Sequence, residues 1–319
     1  MFNPEVYSTV LLADANINSP DHQVIEVAIS GGADSDIVLD ICTKLDVDHK
    51  CRYCWFDTGI EYQATKEHLK YLEEKYGIEI QRFRPEKPVP VAVKEHGYPF
   101  ISKRLAENID RLQRHGFTWE DGDFETLYAK YPRCKSALRW WCNNWDSDRY
   151  NISHYKGLKE FMMQNPPSFR ISSACCDHAK KHVAARIVRE VGADLDIIGS
   201  RKSEGGERSN IKTCYTPSAK IGCDVYRIIF WWKEADRKAY EEHFGIKHSA
   251  CYEEYGMIRT GCCGCPFGLR FEDELKTADE HEPRLAKAVR NIFGPAYEYT
   301  RAYREFRNNL KQEETNDTK

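Results

Sequence analysis

The sequence lacks the long apolar run that a membrane-spanning helix requires. Across its 319 residues no stretch approaches about 18 consecutive apolar residues, and no basic segment followed by an apolar one opens the chain. A strong charge of one sign is also missing, since the net charge is −3. There is therefore no global electrostatic footprint for nucleic-acid binding. Internal repeats and low-complexity linkers are absent too. These absences predict a cytoplasmic protein without membrane contact.

Apolar and charged residues are both present in ordinary amounts. The composition is 41% hydrophobic and 30% charged, which is enough to bury a core and excludes a mainly disordered chain. The length suits one large domain or two small ones, at roughly 100–200 residues per domain. Cysteine is the exception, with thirteen residues. An odd number without a secretory signal argues against a disulfide framework and favours metal or redox chemistry.

Strand and helix patterns alternate along much of the chain. β-Rich runs at 24–29, 51–56, 78–83 and 194–198 are separated by helical patterns at 36–45, 62–76 and 177–191. This alternation predicts an open, mainly parallel α/β sheet with helices on both faces. A Trp-rich helical insertion and a helical C-terminus, at 283–310, complete the expected fold. The predicted divisions are residues 1–84 and 168–268 for the sheet domain, 85–167 for the insertion, and 269–319 for the C-terminal extension.

A glycine-rich turn directly follows the first strand. Ser30-Gly31-Gly32-Ala33-Asp34-Ser35 leads into a helix. The two glycines let backbone N–H groups approach a ligand, and the helix N-terminus favours an anion. Ser30 and Ser35 offer hydroxyl groups to phosphate oxygens, whereas Asp34 orients the loop or holds Mg²⁺. The turn is therefore predicted to bind phosphate, by a pattern other than GxxxxGKS/T.

This turn resembles the SGGxDS pyrophosphate loop (PP-loop) of the adenine nucleotide α-hydrolase-like superfamily, the N-type ATP pyrophosphatases with a HUP-like fold. Asp57-Thr58-Gly59 is similar to the DTG segment of the phosphoadenosine-phosphosulfate (PAPS) reductase branch, which helps hold the nucleotide. The run from Gly199 to Arg208 resembles that family's G-x-R-x-x-E-S-x-x-R stretch, with Gly205 in place of the serine.

The resemblance implies a set of site residues. The implied catalytic residues are Asp34 and Arg201. The implied nucleotide-binding residues are Ser30, Gly31, Gly32, Asp34, Ser35, Asp57, Thr58, Gly59, Arg201 and Arg208.

Four cysteines form two short-range pairs, Cys175-Cys176 and Cys262-x-x-Cys265. Two such pairs brought together bind zinc or an iron–sulfur cluster. Their flanking sequences resemble the cluster segments of iron–sulfur members of the PAPS reductase family. The resemblance implies a 4Fe-4S cluster on these four residues, with Cys263 as a substitute for one ligand. The residue pattern also leaves open a structural zinc ion, or no metal.

The other cysteines are given different interpretations. Cys51 and Cys54 also form a CxxC, but on a strand positions i and i+3 face opposite sides, so they are predicted to be core thiols. Cys142 is a packing residue or a redox thiol. Cys214 and Cys223 are left unassigned.

Two departures from adenylylsulfate (APS) and PAPS reductases bear on the expected activity. Such reductases use a cysteine in a C-terminal ECGLH-like segment, and here no cysteine follows Cys265. Their nucleotide loop is degenerate, whereas here it is intact, which suits ATP and its pyrophosphate tail. Both features resemble cluster-containing ATP pyrophosphatases that incorporate sulfur into nucleic acid. The implied function is ATP-pyrophosphatase-type activation for sulfur transfer to a nucleic-acid or small-molecule acceptor.

Two other functions stay open. One is an APS or PAPS reductase that releases sulfite with Cys263 or Cys142 as its thiol. The other is a nucleotide-sensing regulatory module with a structural cluster. The expected partners are an adenine nucleotide (ATP, PAPS or APS), a sulfur donor or reductant protein, and a nucleic-acid acceptor. A homodimer is compatible with the sequence.

Overall fold

A computed structural model describes residues 4–218 and 222–317 of the chain. The strands are β1 Ile25–Ile29, β2 Cys51–Phe56, β3 Ile80–Phe83, β4 Leu195–Ile198, β5 Tyr215–Thr216 and β6 Asp224–Tyr226. The helices are α1 Pro4–Ile17, α2 Ala33–Leu45, α3 Gln63–Tyr76, α4 Val89–His96, α5 Lys103–Arg114, α6 Phe124–Lys130, α7 Lys135–Trp141, α8 Leu158–Gln164, α9 Ala174–Cys176, α10 His182–Val191, α11 Glu234–Phe244, α12 Ala250–Glu253, α13 Phe271–His281 and α14 Pro283–Asp317. A π-helical turn, Asp177–Lys181, joins α9 to α10.

The described residues divide into two compact units. Unit 1 contains the residues up to Pro88 together with His178–Cys263, and unit 2 contains Val89–Asp177 together with the residues from Gly264 onward. Unit 1 carries all six of the strands listed above, whereas unit 2 is built from helices.

The sheet of unit 1 has the strand order β3-β2-β1-β4-β6-β5. Every neighbouring pair is parallel except β5 and β6, which are antiparallel. Because the carboxyl ends of parallel strands meet at one edge, the loops that follow β1, β2 and β4 emerge side by side. The predicted mainly parallel α/β sheet is confirmed.

The two faces of the sheet pack against different helices, because successive side chains of a strand point to opposite sides. On one face Cys51 belongs to the core that includes Ile37 and Val38 of α2. On the other face Cys54 packs against Val183 and Ile187 of α10. Cys51 and Cys54 are therefore buried core thiols on opposite faces, as the sequence predicts.

Two carboxylic acids lie side by side within the sheet. Glu26 of β1 and Asp196 of β4 are direct partners in the parallel register. The Glu26 side chain is almost completely buried, and both its carboxyl oxygens lack a hydrogen-bond partner among the described residues. Burial, reinforced by Asp196, raises the pKa of Glu26 to about 8. Burial also raises the pKa of Asp196 to about 6, against the opposing charge of Arg227.

Unit 2 has an aromatic core. Trp140 and Trp141 of α7 are buried there with Phe117 and with Tyr303 of α14. The predicted helical Trp-rich insertion and helical C-terminus are thus confirmed. None of the helices in the described part of the chain is both long and apolar enough to cross a membrane.

Candidate functional site

The glycine-rich turn of unit 1 is organised around the hydroxyl group of Ser35. Its oxygen accepts the backbone N–H groups of Ser30 and Gly32, each at 3.2 Å, and donates to the carbonyl of Gly32 at 2.8 Å. The Ser30 hydroxyl lies 3.1 Å from the same oxygen. The turn is therefore closed on itself, directly before α2, with its amide groups on the inside.

Gly31 gives the turn its shape. Its φ of +69° lies in the left-handed region, which L side chains rarely adopt. A Cβ atom at this position would also stand 2.6 Å from Cγ2 of Thr65 on α3. Two independent restraints, backbone conformation and space, thus require glycine here.

The two residues predicted to be catalytic contact each other. Nε of Arg201 donates to a carboxyl oxygen of Asp34 at 2.9 Å, and its Nη1 lies 3.3 Å from Glu234. The loop after β4 comes this close to the turn because residue 199 is glycine. A Cβ atom added there would stand 3.1 Å from the backbone carbonyl oxygen of Asp34. Burial raises the pKa of Asp34, although the hydrogen bond from Arg201 opposes the rise. Arg201 therefore holds the carboxylate at the mouth of the turn.

Arg208 lies further along the loop that follows β4. Its Nε is 3.2 Å from a carboxyl oxygen of Glu204, and its side chain is 43% exposed. The ion pair holds the Arg208 guanidinium against its own loop. Exposed ion pairs of this kind contribute little to the free energy of unfolding.

The Asp57-Thr58-Gly59 segment follows β2, the strand beside β1. Arg82 donates to the Asp57 carboxylate, and the Gly59 N–H donates to it at 3.1 Å. Burial would raise the pKa of Asp57, but the hydrogen bonds from Arg82 and other neighbours outweigh it and lower that pKa. The carboxylate is thus an ion that fixes the loop after β2.

Glu61 is a residue that the sequence patterns did not single out. Its carboxylate accepts the N–H of Thr58 at 3.0 Å and of Gly59 at 3.1 Å, and it also accepts the Thr58 hydroxyl. Burial raises the pKa of Glu61, partly offset by these bonds to Thr58. The only sequence signal for this role is its place two residues after Gly59.

The segment that carries the later cysteines reaches the same loop within unit 1. The Thr58 hydroxyl lies 3.4 Å from Sγ of Cys262, and the N–H of Cys263 donates to the carbonyl of Ile60 at 3.1 Å. One of the predicted metal ligands therefore stands at the Asp57–Gly59 segment.

A cavity of about 190 Å³ opens beside these loops in unit 1. Its lining residues come from the ends of β1 and β2 and from the segments that cover them, and they are Ala28, Ile29, Ser30, Trp55, Phe56, Glu61, Thr65, Lys180, Thr260 and Gly261. Two aromatic rings, a buried carboxyl group and one cation thus surround a space that begins at the glycine-rich turn. Lys180 and Thr260 lie in the segments that flank the two cysteine pairs, but the sequence pattern gave neither of them a binding role.

The predicted metal ligands belong to different units. Cys262 lies in unit 1, whereas Cys175, Cys176 and Cys265 lie in unit 2. Within either unit, the described residues contain no group of three or more His, Cys, Asp or Glu side chains arranged to hold a metal ion. The four-cysteine ligand set stays a prediction.

Part of the chain is similar to a known protein family. Residues 24–114 match the phosphoadenosine phosphosulfate reductase domain. An uncharacterized protein of Methanocaldococcus jannaschii is 35% identical over 92 residues, a match that covers 28% of this chain and 18% of that relative. The chain therefore matches less than a fifth of that protein's length.

Several solved structures resemble the fold. The phosphoadenylyl-sulfate reductase of Candida auris, in a phosphate complex, is 14% identical, with 80% of this chain and 87% of that chain covered and a TM-score of 0.42. The U34-tRNA thiolase of Methanococcus maripaludis, with its 4Fe-4S cluster, is 13% identical, with 95% and 79% covered and a TM-score of 0.38. The NH3-dependent NAD synthetase of Campylobacter jejuni, in complex with nitrate, is 13% identical, with 92% and 94% covered and a TM-score of 0.35.

These structural likenesses are too low to bear on activity, so the assignment rests on the matched residues. They include β1, the glycine-rich turn, β2 and the Asp57–Gly59 segment. The resemblance predicted from the sequence is thereby confirmed over residues 24–114, which match the phosphoadenosine phosphosulfate reductase domain.

Proposed function

We propose that the protein is an enzyme that binds ATP at the glycine-rich turn and uses it to activate an acceptor for sulfur transfer. The acceptor is a nucleic acid or a small molecule, and a separate protein supplies the sulfur. The observation that carries the proposal is the intact turn, closed around Ser35, at the edge of a cavity with aromatic walls.

The geometry of unit 1 supports a nucleotide with a pyrophosphate tail. The N-terminal end of α2 suits an anion, and in the proposal the hydroxyls of Ser30 and Ser35 exchange their hydrogen bonds within the turn for bonds to phosphate oxygens. Trp55 and Phe56 line the adjoining cavity and offer apolar surface to a base. The carboxylate of Asp34 has one oxygen, Oδ1, that is buried without a hydrogen-bond partner among the described residues. That oxygen is suited to hold Mg²⁺.

In the proposed reaction an oxygen of the acceptor bonds to the α-phosphorus of ATP. The bond from that phosphorus to the bridging oxygen breaks, and pyrophosphate leaves. Sulfide-level sulfur from the donor then bonds to the acceptor atom that carries this oxygen, and the bond from that atom to the oxygen breaks, so that AMP leaves with the oxygen. Donors fixed at the turn stabilise the charge that develops on the departing pyrophosphate, and this is the chief contribution of the chain's own residues.

The cysteines suit an iron–sulfur cluster by their chemistry. Cys175 is buried and Cys176, Cys262 and Cys265 are half-buried, and cysteine thiolates are the usual ligands of such clusters. In the proposal these four residues hold a 4Fe-4S cluster, with Cys263 as the substitute. When bound, such a cluster supplies an iron site for sulfur. Zinc remains the alternative metal for the same thiols.

Two experiments test the proposal. Anaerobic purification with an absorption spectrum and an iron and sulfide count tests the cluster. Incubation with ATP and bulk RNA or DNA, and separately with PAPS and APS plus thioredoxin, tests the reaction when pyrophosphate and sulfite are both assayed. We expect pyrophosphate from ATP in the presence of the acceptor, and little sulfite.

Variants connect the reaction to the turn. Gly32→Val should abolish ATP binding, because a Cβ there already stands 3.2 Å from the hydroxyl groups of Tyr252 and Thr260. Ser35→Ala should weaken it. Gly294→Val is the matched control, since a Cβ at Gly294 meets nothing within 4 Å. Unchanged affinity in Gly32→Val would count against the turn as the ATP site.

The other outcomes identify the two alternatives. Robust sulfite release would make the protein an APS or PAPS reductase, with Cys263 or Cys142 as its thiol. Nucleotide binding without turnover would make it a sensing module. An adenine nucleotide is a proposed partner in every case, and a donor or reductant protein and a nucleic-acid acceptor are the further partners of the proposed sulfur transfer.

A further inference from the structure

Tyr252 of α12 reaches the start of α2 within unit 1. Its hydroxyl oxygen accepts the N–H of Ala33 at 3.2 Å and the N–H of Thr260 at 3.1 Å, and it lies 3.2 Å from Oγ1 of Thr260. Nothing in the sequence pattern marks this tyrosine, which stands 219 positions after Ala33.

The hydrogen bonds of this hydroxyl determine what it can do for a ligand. A phenol oxygen has two lone pairs and one proton. Both lone pairs accept N–H groups, so the remaining capacity of the hydroxyl is to donate. Burial raises the pKa of Tyr252, although the bonds from Thr260 and Ala33 oppose the rise. The phenol therefore keeps its proton at neutral pH.

Three hydroxyl groups surround Gly32. A Cβ on this glycine would stand 3.2 Å from Tyr252 Oη, 3.2 Å from Thr260 Oγ1 and 3.3 Å from Ser30 Oγ. Ser30 and Thr260 also line the cavity of unit 1. The absence of a side chain at Gly32 thus leaves a small space bordered by hydroxyl groups, next to the cavity.

A neighbouring histidine connects Tyr252 to α2. Its ring lies 5.5 Å from the ring of His248, centroid to centroid. His248 contacts Asp36 of α2 through Nδ1 at 2.8 Å and Glu241 through Nε2 at 3.0 Å. Since Asp36 directly follows Ser35, the segment that carries Tyr252 is attached to the same helix that carries the turn.

We propose that Tyr252 is a binding residue of the turn, which donates its hydroxyl to a non-bridging oxygen of the pyrophosphoryl group. Thr260 Oγ1, the neighbour within reach of the phenol proton, then turns its own hydroxyl to the ligand as well. This inference rests on the proposed function, because it concerns the same anion site. With these two hydroxyl groups, the segment that follows α11 would also contact the anion, in addition to the turn itself.

Isothermal titration with inorganic pyrophosphate and with ATP tests the proposal. Tyr252→Phe keeps the ring and removes only the donor, so both affinities should fall about 10-fold, as for the loss of a hydrogen bond to a charged group. Tyr240→Phe is the matched control, because its hydroxyl bonds to Asp40, within the core of unit 1. Its affinities should stay within twofold of the wild type.

Affinities of Tyr252→Phe within twofold of the wild type would overturn the proposal. Tighter binding by Tyr252→Phe would overturn the proposal too, because the Tyr252 hydroxyl would then occupy the anion site in the free protein and would have to be displaced by the ligand. If wild-type protein binds neither ligand, the proposed function fails and this inference fails with it. Binding by the wild type, lost in Gly32→Val but unchanged in Tyr252→Phe, refutes the inference alone.

A second variant covers the case in which Tyr252→Phe does not fold. A fluorinated tyrosine placed at position 252 keeps the shape of the side chain but lowers the pKa of its phenol. Pyrophosphate affinity should then fall at a lower pH than in the wild type, because the deprotonated phenol cannot donate. Identical pH profiles for the two proteins would refute the donor role.

Discussion

Replacing Glu26 with glutamine should remove a pH dependence of stability that is built into the sheet. The folded protein keeps Glu26 protonated up to a pKa of about 8, whereas the ordinary value for the unfolded chain is 4.5. Between these values the native state binds one proton more than the unfolded state. Each pH unit in that window therefore lowers the free energy of unfolding, by about 1.4 kcal/mol.

The full effect of Glu26 amounts to about 4–5 kcal/mol, as an upper limit, between pH 4.5 and pH 8. The stabilising contribution is present at low pH and is lost as the pH rises. Glu26→Gln has the same shape and does not titrate, so its stability should match the wild type within about 1 kcal/mol at pH 5. At pH 8.5 the variant should be the more stable protein.

Urea unfolding followed by circular dichroism at pH 5, 6, 7, 8 and 9 measures this difference. Asp196 contributes a loss of the same sign as the pH rises to about 6, but it is present in both proteins. Glu79→Gln, at an exposed glutamate, controls for the change in net charge. Parallel pH profiles for the wild type and Glu26→Gln would refute the conclusion that this carboxyl group is protonated in the folded protein.

Three further predictions concern the turn and its supports. Gly31→Ala should abolish anion binding, and in thermal unfolding it should lose at least about 1 kcal/mol more stability than Gly77→Ala. Both glycines have a positive φ, but only at Gly31 would a Cβ atom contact a side chain. Equal losses of stability in the two variants would contradict this. Arg201→Ala should lower the free energy of unfolding by about 1–3 kcal/mol, because it leaves the Asp34 carboxylate without its partner. Adding Asp34→Asn should restore part of this loss. No recovery in the double variant would argue against the ion pair. Burial would lower the pKa of His248, but the bonds to Asp36 and Glu241 raise it to about 9. The wild type should therefore have a free energy of unfolding about 1–3 kcal/mol above that of His248→Gln below pH 6.5, and this difference should be lost by pH 9. A constant difference across this range would refute the charged state of His248.

The sequence predicts the position of the turn because local rules suffice there. A buried strand, two glycines and a helix start are contiguous, and a parallel sheet brings the segments after β1, β2 and β4 to one edge. The strands at 51–56 and 194–198 are likewise recognisable from short β-rich runs. The three-residue strand β6 and the two-residue β5 are too short to give such a pattern.

The partners of the site residues could not be predicted, because they come from distant parts of the chain. Arg201 is recognisable as a cation after a strand, but its contact with Asp34 joins positions 167 apart, and its contact with Glu234 depends on where α11 begins. Tyr252 and Thr260 reach Gly32 by the same kind of long-range folding. Side chains that act through tertiary contacts leave no periodic or local signal.

The division of the chain between two units has a consequence for how the protein folds during synthesis. Residues 89–177 belong to unit 2, yet they are made between the two segments of unit 1. When β1, β2 and β3 have left the ribosome, the neighbour of β1 on its other side, β4, is still roughly a hundred residues away along the chain. Until it arrives, the backbone groups along that side of β1 have no strand to pair with, and an open edge of this kind invites pairing with other chains. The nascent protein should therefore depend on chaperones chiefly during the translation of residues 89–198.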